Sequence, residues 1–285
     1  MFLYQEKDLD NTMLYHYTTP EGLLGILQKE EVNLHFTKFT ALNDKMEGKV
    51  LQKRFLAICE RLYREKVIDK REIDNLLEYV NFETGIFRCF LDGKWQELNF
   101  EDTFVCSFSL QQDSLPMWNY YVKNGGYQGY NIGFRNPYFC CDVPEDDINQ
   151  NILQICQVLY SDKELEVLVR ESQDILKKCG EDLTNLLHDL HYGVLQHKES
   201  CFAHEQEVRL IYTANPKKKK QIKYKVKNGV LVPYIEVKLM RETVQEITVG
   251  PLIEQDLAVK NLREFLEQRG YPDVDIKVSE IPIRY

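Results

Sequence analysis

The chain has little of what would divide it. Its 14 glycines and 9 prolines in 285 residues gather into no linker, so residues 1–285 read as a single domain. No glycine-rich phosphate loop is present, which excludes Rossmann and P-loop readings. No apolar run approaches the roughly 20 residues of a membrane-spanning helix. The opening Met1–Asp8 has no basic stretch leading into an apolar one, so no secretory signal is legible. The 8 cysteines are thinly spread, with Cys140 and Cys141 adjacent and no Cys-x-x-Cys pair. That excludes a disulfide framework and points to the reduced thiols of a cytoplasmic protein. Positive charge is also in deficit: 36 Lys and Arg stand against 45 Asp and Glu, a net charge of −9. Coating nucleic acid by bulk electrostatics is thereby excluded. The one dense basic cluster, Lys217–Lys220 with Lys223, Lys225 and Lys227, reads as a hairpin edge whose lysines discourage edge-to-edge pairing.

What is present is a hydrophobic share of 44%, ample for a core, arranged in strands that arrive in groups. Met13–Tyr17 reads as a strand, and Thr19-Pro20 as a capped helix start leading to a helix over 20–29 with Leu23, Leu24 and Leu27 buried. Strands follow over 32–36, 104–108, 130–134, 158–160, 207–212, 231–237, 244–249 and 274–278. Helices are expected over 46–66, 69–80, 115–122, 162–195 and 254–269. In the long one over 162–195, Leu165, Leu168, Val169, Leu176, Leu183 and Leu187 are core candidates. Strands grouped in this way predict an α+β fold, with helical insertions at about 46–80 and 162–195.

Three segments carry polar residues where strand or turn geometry exposes them together. In Tyr15-His16-Tyr17-Thr18, the histidine projects opposite to its tyrosine neighbours. It is either a hydrogen-bonded structural group or part of a site. In His204-Glu205-Gln206-Glu207-Val208-Arg209, a period of two places Glu205, Glu207 and Arg209 on one face and Val208 and Leu210 in the core. Two carboxylates beside an arginine suit a catalytic cleft, and equally a surface ladder of ion pairs. In Met117-Trp118-Asn119-Tyr120-Tyr121, with Tyr127 and Tyr130 beyond, the aromatics are either core or the cover of a ligand. His16 and Glu207 are expected to face a common cleft.

With these segments assembled, the chain resembles a bacterial family of unknown function. The resemblance rests on Tyr15–Leu27, Asn43-Asp44 to Glu47, Met117–Tyr121, Phe202–Arg209, Ile247–Pro251 and Ser279–Arg284. The opening is also similar to the His-x-Thr element of ADP-ribosyltransferases, notably toxins that modify DNA and the poly-ADP-ribose class. That second resemblance implies a split β-sandwich carrying the helical insertions, with NAD as substrate. It assigns His16 and Thr18 to the cofactor, Glu207 to catalysis with Glu205 as companion, and one of Tyr120, Tyr121 or Tyr127 to the aromatic role, with Arg209 beside them. It further implies a nucleic-acid or protein acceptor, a toxin or phage-defence setting and a neutralising antitoxin partner. A non-catalytic binding module on the same fold and an NAD glycohydrolase are the alternatives. The residue types fit the chemistry. Breaking the nicotinamide–ribose bond develops an oxocarbenium-like charge that a carboxylate stabilises, and an aromatic face suits a cationic ring.

His188, His191, His197, Cys201 and His204 fall within seventeen positions and raise the question of zinc. Structural zinc sites keep a close ligand pair at each end, and this spacing has none. Protein purified without chelator is therefore expected to carry no stoichiometric transition metal by elemental analysis. A metal lost on changing His197 and Cys201 would contradict this.

Overall fold

A computed structural model describes residues 9, 11–42, 50–77, 80–81, 86–91, 94–98, 102–122, 127–135, 153–171, 190, 192–213, 222–227, 229–251 and 253–283. The chain packs as two compact units, one built from Phe39–Asp102 and Val158–Ala203, the other from Glu6–Lys38, Thr103–Gln157 and His204–Tyr285. Among the described residues, no helix is long and apolar enough to cross a membrane.

The first unit holds helices α2 (Val50–Arg64) and α3 (Lys70–Leu77), a small sheet of β3 (Val80–Asn81), β4 (Ile86–Leu91) and β5 (Lys94–Leu98), and α5 (Lys163–Glu171). Val50, Leu51, Phe55, Ile58 and Leu62 recur at helical spacing and are buried, which is why α2 forms against the unit's interior. The small sheet was not legible in the sequence. Of the expected core positions over 162–195, Leu165 and Val169 are buried. The side chain of Leu168, and Leu176, Leu183 and Leu187 altogether, lie outside the described residues, as do the Asn43-Asp44 turn, His188, His191 and Lys217–Lys220.

The second unit is one large, mostly antiparallel sheet with helices α1 (Pro20–Ile26), α4 (Leu115–Tyr121) and α6 (Gln255–Arg269). Its strands are β1 (Met13–Thr18), β2 (Val32–Lys38), β6 (Thr103–Ser109), β7 (Tyr130–Arg135), β8 (Leu153–Gln157), β9 (Glu207–Thr213), β10 (Lys223–Lys227), β11 (Val230–Leu239), β12 (Val244–Val249) and β13 (Asp275–Val278). They run β10-β11-β2-β6-β1-β7-β12-β13, with β9 also on β6 and β8 on β9. Only β12 and β13 are parallel among these pairs. The fold is thus mixed α/β, as the grouped strands predicted. The strand expected at 158–160 lies instead at Leu153–Gln157, because that segment finds β9 as partner.

Thr19 caps α1 by accepting a hydrogen bond from the Gly22 amide at 3.1 Å, and Pro20 occupies the first turn. The helix ends at Ile26, earlier than 29. Leu23 and Leu27 are buried as expected, Leu27 just past the helix end, and Ile26 joins them, whereas Leu24 is 52% exposed, which corrects that one position. Helix α6 buries Ala258, Leu262 and Leu266 at a spacing of four and ends on left-handed Gly270, the usual glycine stop.

The decisive topological fact concerns β6. One edge pairs with β9 from Thr103 to Ser109. The other is shared: β2 pairs at Val105 and Phe104, β1 at Ser109. Between these points β1 and β2 part, and the sheet opens beside Ser107. Edge strand β10 presents Lys223, Lys225 and Lys227 alternately with Tyr224 and Val226.

Gly129 and Gly250 cross closely, with the Gly250 amide donating to the Gly129 carbonyl at 2.8 Å. A methyl on Gly250 would sit 2.6 Å from the Tyr127 carbonyl oxygen and 2.8 Å from that of Gly129, and backbone cannot give way as a flexible side chain can. Gly25, within α1, has nothing within 4 Å of an added methyl. Gly250→Ala is expected to lower stability by about 1–3 kcal/mol, and Gly25→Ala to raise it by roughly 0.5–1 kcal/mol. Urea denaturation reads both, and the opposite order would refute the packing described.

Candidate functional site

Pairing across the sheet sorts every side chain by face. Tyr15 stands opposite Ser109 and Gly133, Ser109 opposite Glu207, and Gly133 opposite Glu246. Paired residues point to one face and their neighbours in sequence to the other. One face therefore carries Tyr15, Tyr17, Ser107, Ser109, Asn131, Glu207, Arg209, Glu246 and Thr248. The opposite face is the apolar core, with Leu14, Phe108, Ile132, Phe134, Val208, Leu210 and Ile247.

This parity separates residues that the motif reading had joined. His16 follows Tyr15, so it projects opposite to Glu207, although β1 and β9 both border β6. Its ring lies against Phe108 at 5.7 Å, and its Nδ1 is 3.0 Å from the Ser107 carbonyl oxygen. A carbonyl only accepts, so Nδ1 carries the proton. The ring fills the opening where β1 leaves β6, and burial holds its pKa below the usual histidine value. Thr18 shares that side and is buried; a methyl on Gly22 would collide with its hydroxyl. The expected common cleft of His16 and Glu207 is therefore replaced by two opposite faces. The β1 residues that accompany Glu207 are Tyr15 and Tyr17.

Glu205 is not on the strand. It ends a 3₁₀ turn, Ser200–Glu205, and β9 begins at Glu207. Gln206 between them has a φ of 42°, a left-handed conformation that non-glycine residues adopt rarely. This kink breaks the period of two, so the strand-face reading of Glu205, Glu207 and Arg209 holds only for the last two. The turn is pinned to the end of β6: the Ser109 hydroxyl donates to the Glu205 carbonyl at 2.6 Å, and the Leu110 amide to that of Gln206 at 3.0 Å.

The two carboxylates have different settings. Glu207 and Arg209 are both buried and form a fork, with Arg209 Nε donating to Oε1 at 2.9 Å and Nη2 to Oε2 at 3.1 Å. Of the two alternatives, the surface ladder is not what forms: the two make a buried pair, in which each ion offsets the other's desolvation. Glu205 accepts a hydrogen bond on Oε1 from the Tyr121 hydroxyl at 2.8 Å. Tyr121 is 39% and Tyr120 57% exposed, and the Tyr120 ring lies 5.8 Å from that of His204. Glu205 is thus itself buried, beneath tyrosine rings that are open to solvent.

Helix α4 delivers those tyrosines because its other side is anchored. Trp118 is fully buried and meets Tyr17 edge-to-face at 4.8 Å. With Met117 and Val122 they form a small apolar cluster, against which Tyr15, Tyr127 and Ile281 pack. Tyr127 therefore supports the site from below, in a left-handed turn with φ 67°. Asp113, which sequence reasoning missed, accepts from Trp118 Nε1 at 2.7 Å, from the Ser279 hydroxyl at 2.7 Å and from the Glu280 amide at 2.9 Å. One carboxylate so ties the helix to the terminal Ser279–Ile281 segment; the polar run before Leu115-Pro116 was its only signal. Tyr15 is pushed up to about 12, first by burial and then by the nearby Glu246 carboxylate, so it is a hydrogen-bond donor and no base. Among the described residues, no three His, Cys, Asp or Glu side chains converge as a metal site, and His197 Nδ1 lies 2.8 Å from the Gly193 carbonyl oxygen.

No curated protein and no solved structure matches the chain. Residues 117–210 match the model of a family described as "Protein of unknown function (DUF2971)". The matched stretch runs from Met117 in α4 to Leu210 in β9, so it contains Tyr120, Tyr121, Tyr127, Glu205, Glu207 and Arg209, and it supports the resemblance to a family of unknown function.

Proposed function

We propose that the chain is an NAD-consuming ADP-ribosyltransferase of the split β-sandwich type, acting on a nucleic-acid or protein acceptor. The supporting observation is convergence. Three segments distant in sequence, Tyr15–Tyr17, Met117–Tyr121 and Glu205–Arg209, meet on one face of the sheet around β6. The parting of β1 and β2 along one edge of β6 accords with a split sheet.

In this reading Glu205, and not Glu207, is the carboxylate that faces the reacting ribose. Its acceptor oxygens sit under the exposed rings of Tyr120 and Tyr121, which would stack on the cationic nicotinamide. As the C–N glycosidic bond breaks, nicotinamide leaves with the bonding electrons and positive charge develops at the ribose carbon. The Glu205 carboxylate stabilises that charge, and the acceptor's nucleophile then attacks the carbon and releases its proton. The Tyr121 hydroxyl holds the carboxylate in place. Glu207, with its charge already answered by Arg209, maintains the strand that carries the turn. That same neutralised pair favours the second reading, a binding module without turnover.

Glu205→Gln is expected to lower NAD consumption by about 10²-fold, the scale on which one preorganised stabilising group acts, with the thermal midpoint nearly unchanged. Glu207→Gln breaks the buried ion pair to Arg209 and should cost about 3–5 kcal/mol of stability, seen as a lowered midpoint or lost soluble protein. Labelled NAD incubated with RNA, DNA and protein acceptors reads the first, and thermal denaturation the second. A wild-type protein that leaves NAD intact with every acceptor overturns the transferase reading in favour of the binding module.

A further inference from the structure

We propose that the end of the β10–β11 hairpin is a membrane-docking tip. It inserts Val226, Val230 and Leu231 into an anionic bilayer surface, while Lys223, Lys225 and Lys227 meet the headgroups. The first observation is where the hairpin loses its cover. Its register places Tyr224, Val226 and Leu231 on one face, and the three lysines, Val230, Val232 and Tyr234 on the other. The first face continues the core, since Ile235 and Val237 lie in the same row, paired with Phe36 and Leu34 of β2, and all four are buried. Towards the turn that row emerges bare, with Leu231 67%, Val226 74% and Tyr224 64% exposed. The second face changes at the same level: Tyr234 and Val232 are buried, and Val230 is 62% exposed. The end of the hairpin is therefore bare on both sides.

Aliphatic side chains gathered on an exposed tip mark a contact surface, and their arrangement selects its occupant. Apolar groups on both faces call for a medium that surrounds the tip, as lipid does, whereas a groove in a protein covers one face. A second copy added antiparallel to β10 would set lysine against lysine across the new pair. A nucleic acid would use the lysines, but it binds by stacking on flat rings, and Val226, Val230 and Leu231 have none.

Charge fits the same occupant. Seven of the eleven residues from Lys217 to Lys227 are lysine. Lys223 pairs with Glu236 at 2.6 Å, and Lys225 Nζ lies 5.3 Å from the centre of the Tyr234 ring, a cation–π contact that adds no negative charge. The chain's net charge of −9 opposes docking little, because salt screens charges beyond about 8–10 Å and leaves the local excess in control. Gly229, at φ 78°, closes the turn between Lys227 and Val230. At about 3.4 Å per residue, Val226 and Leu231 stand roughly 8 Å behind that turn. Interfacial amphipathic segments enter a bilayer by roughly 5–10 Å. Tyr224 then falls at the interface, where amphipathic rings gather. The aliphatic stems of the lysines lie along the apolar tip and carry their ammonium groups into the headgroup layer.

Co-sedimentation with phosphatidylcholine vesicles, with and without about one-third phosphatidylserine, tests the tip. The expected result is binding to the phosphatidylserine vesicles that weakens with salt and is at least tenfold weaker on phosphatidylcholine alone. Val226→Thr combined with Leu231→Thr keeps good strand formers in place and should weaken binding at least tenfold, with the thermal midpoint unchanged. Lys227→Gln should weaken it about fivefold, the effect of one lysine near an anionic surface. Leu24→Gln, which removes an exposed leucine from α1, should bind as wild type within twofold. Absent binding, binding indifferent to phosphatidylserine, wild-type binding by the double variant or an equal loss in Leu24→Gln would overturn the docking tip. A dimer in sedimentation equilibrium that the double variant dissolves would overturn it in favour of an interface between copies. An oligonucleotide bound by a protein that ignores vesicles would do so in favour of a nucleic-acid surface. The tip and the transferase reading fail separately, because vesicle binding is read without NAD and NAD consumption without vesicles.

Discussion

Strand β6 can satisfy its backbone groups only through neighbours, and its neighbours determine the rest of the second unit. Along one edge β9 supplies a partner at every residue from Thr103 to Ser109. Along the other, β2 serves the start and β1 the end, and neither reaches the middle. A buried carbonyl without a donor is unfavourable, and at Ser107 the missing strand is replaced by a side chain, His16, donating from Nδ1. The histidine acts as a stand-in for a ladder hydrogen bond, which accounts for its burial and its depressed basicity together. Two strands of opposite destiny can then leave one edge without an orphaned carbonyl between them.

The same pairing decides which chemistry is possible where. Cross-strand register brings Tyr15, Ser109 and Glu207 into one row, and a period of two then sends His16 to the other face. Charge is handled accordingly. Where β9 is covered, Glu207 and Arg209 answer each other in a fork, and the pair is neutral as a unit. Where the chain kinks at Gln206, Glu205 leaves the strand face and, itself buried, accepts a hydrogen bond from the Tyr121 hydroxyl. Two carboxylates only two residues apart thus have different partners, and a single left-handed residue separates them.

How much of this was legible can be argued from particular residues. The strands around Tyr15, Phe104, Tyr130, Glu207, Leu231 and Val244 were readable because alternation and β-branched content are local properties. The cap at Thr19 and the stop at Gly250 were readable for the same reason. Leu24 misled because the end of α1 depends on where the next turn packs, not on the leucines themselves. Glu205 misled because nothing in Glu-Gln-Glu announces that the middle residue takes a positive φ. Asp113 went unread because its three donors, Trp118, Ser279 and Glu280, include two from the far end of the chain.

The sequence by itself determined the grouped strands of a mixed α/β fold and the segments in which function had to be sought. Each follows from local spacing, which fixes the side of an element on which a residue lies. Tertiary structure alone decided which sides meet. The register of β1 on β6 set His16 apart from Glu207, the fork to Arg209 neutralised one carboxylate and the approach of α4 gave the other its tyrosine. The parting of two strands beside Ser107 likewise left a carbonyl that His16 answers from its side chain. Such pairings depend on hydrogen bonds between residues about a hundred positions apart, and no local pattern in a chain encodes the partner at the other end of a long-range bond.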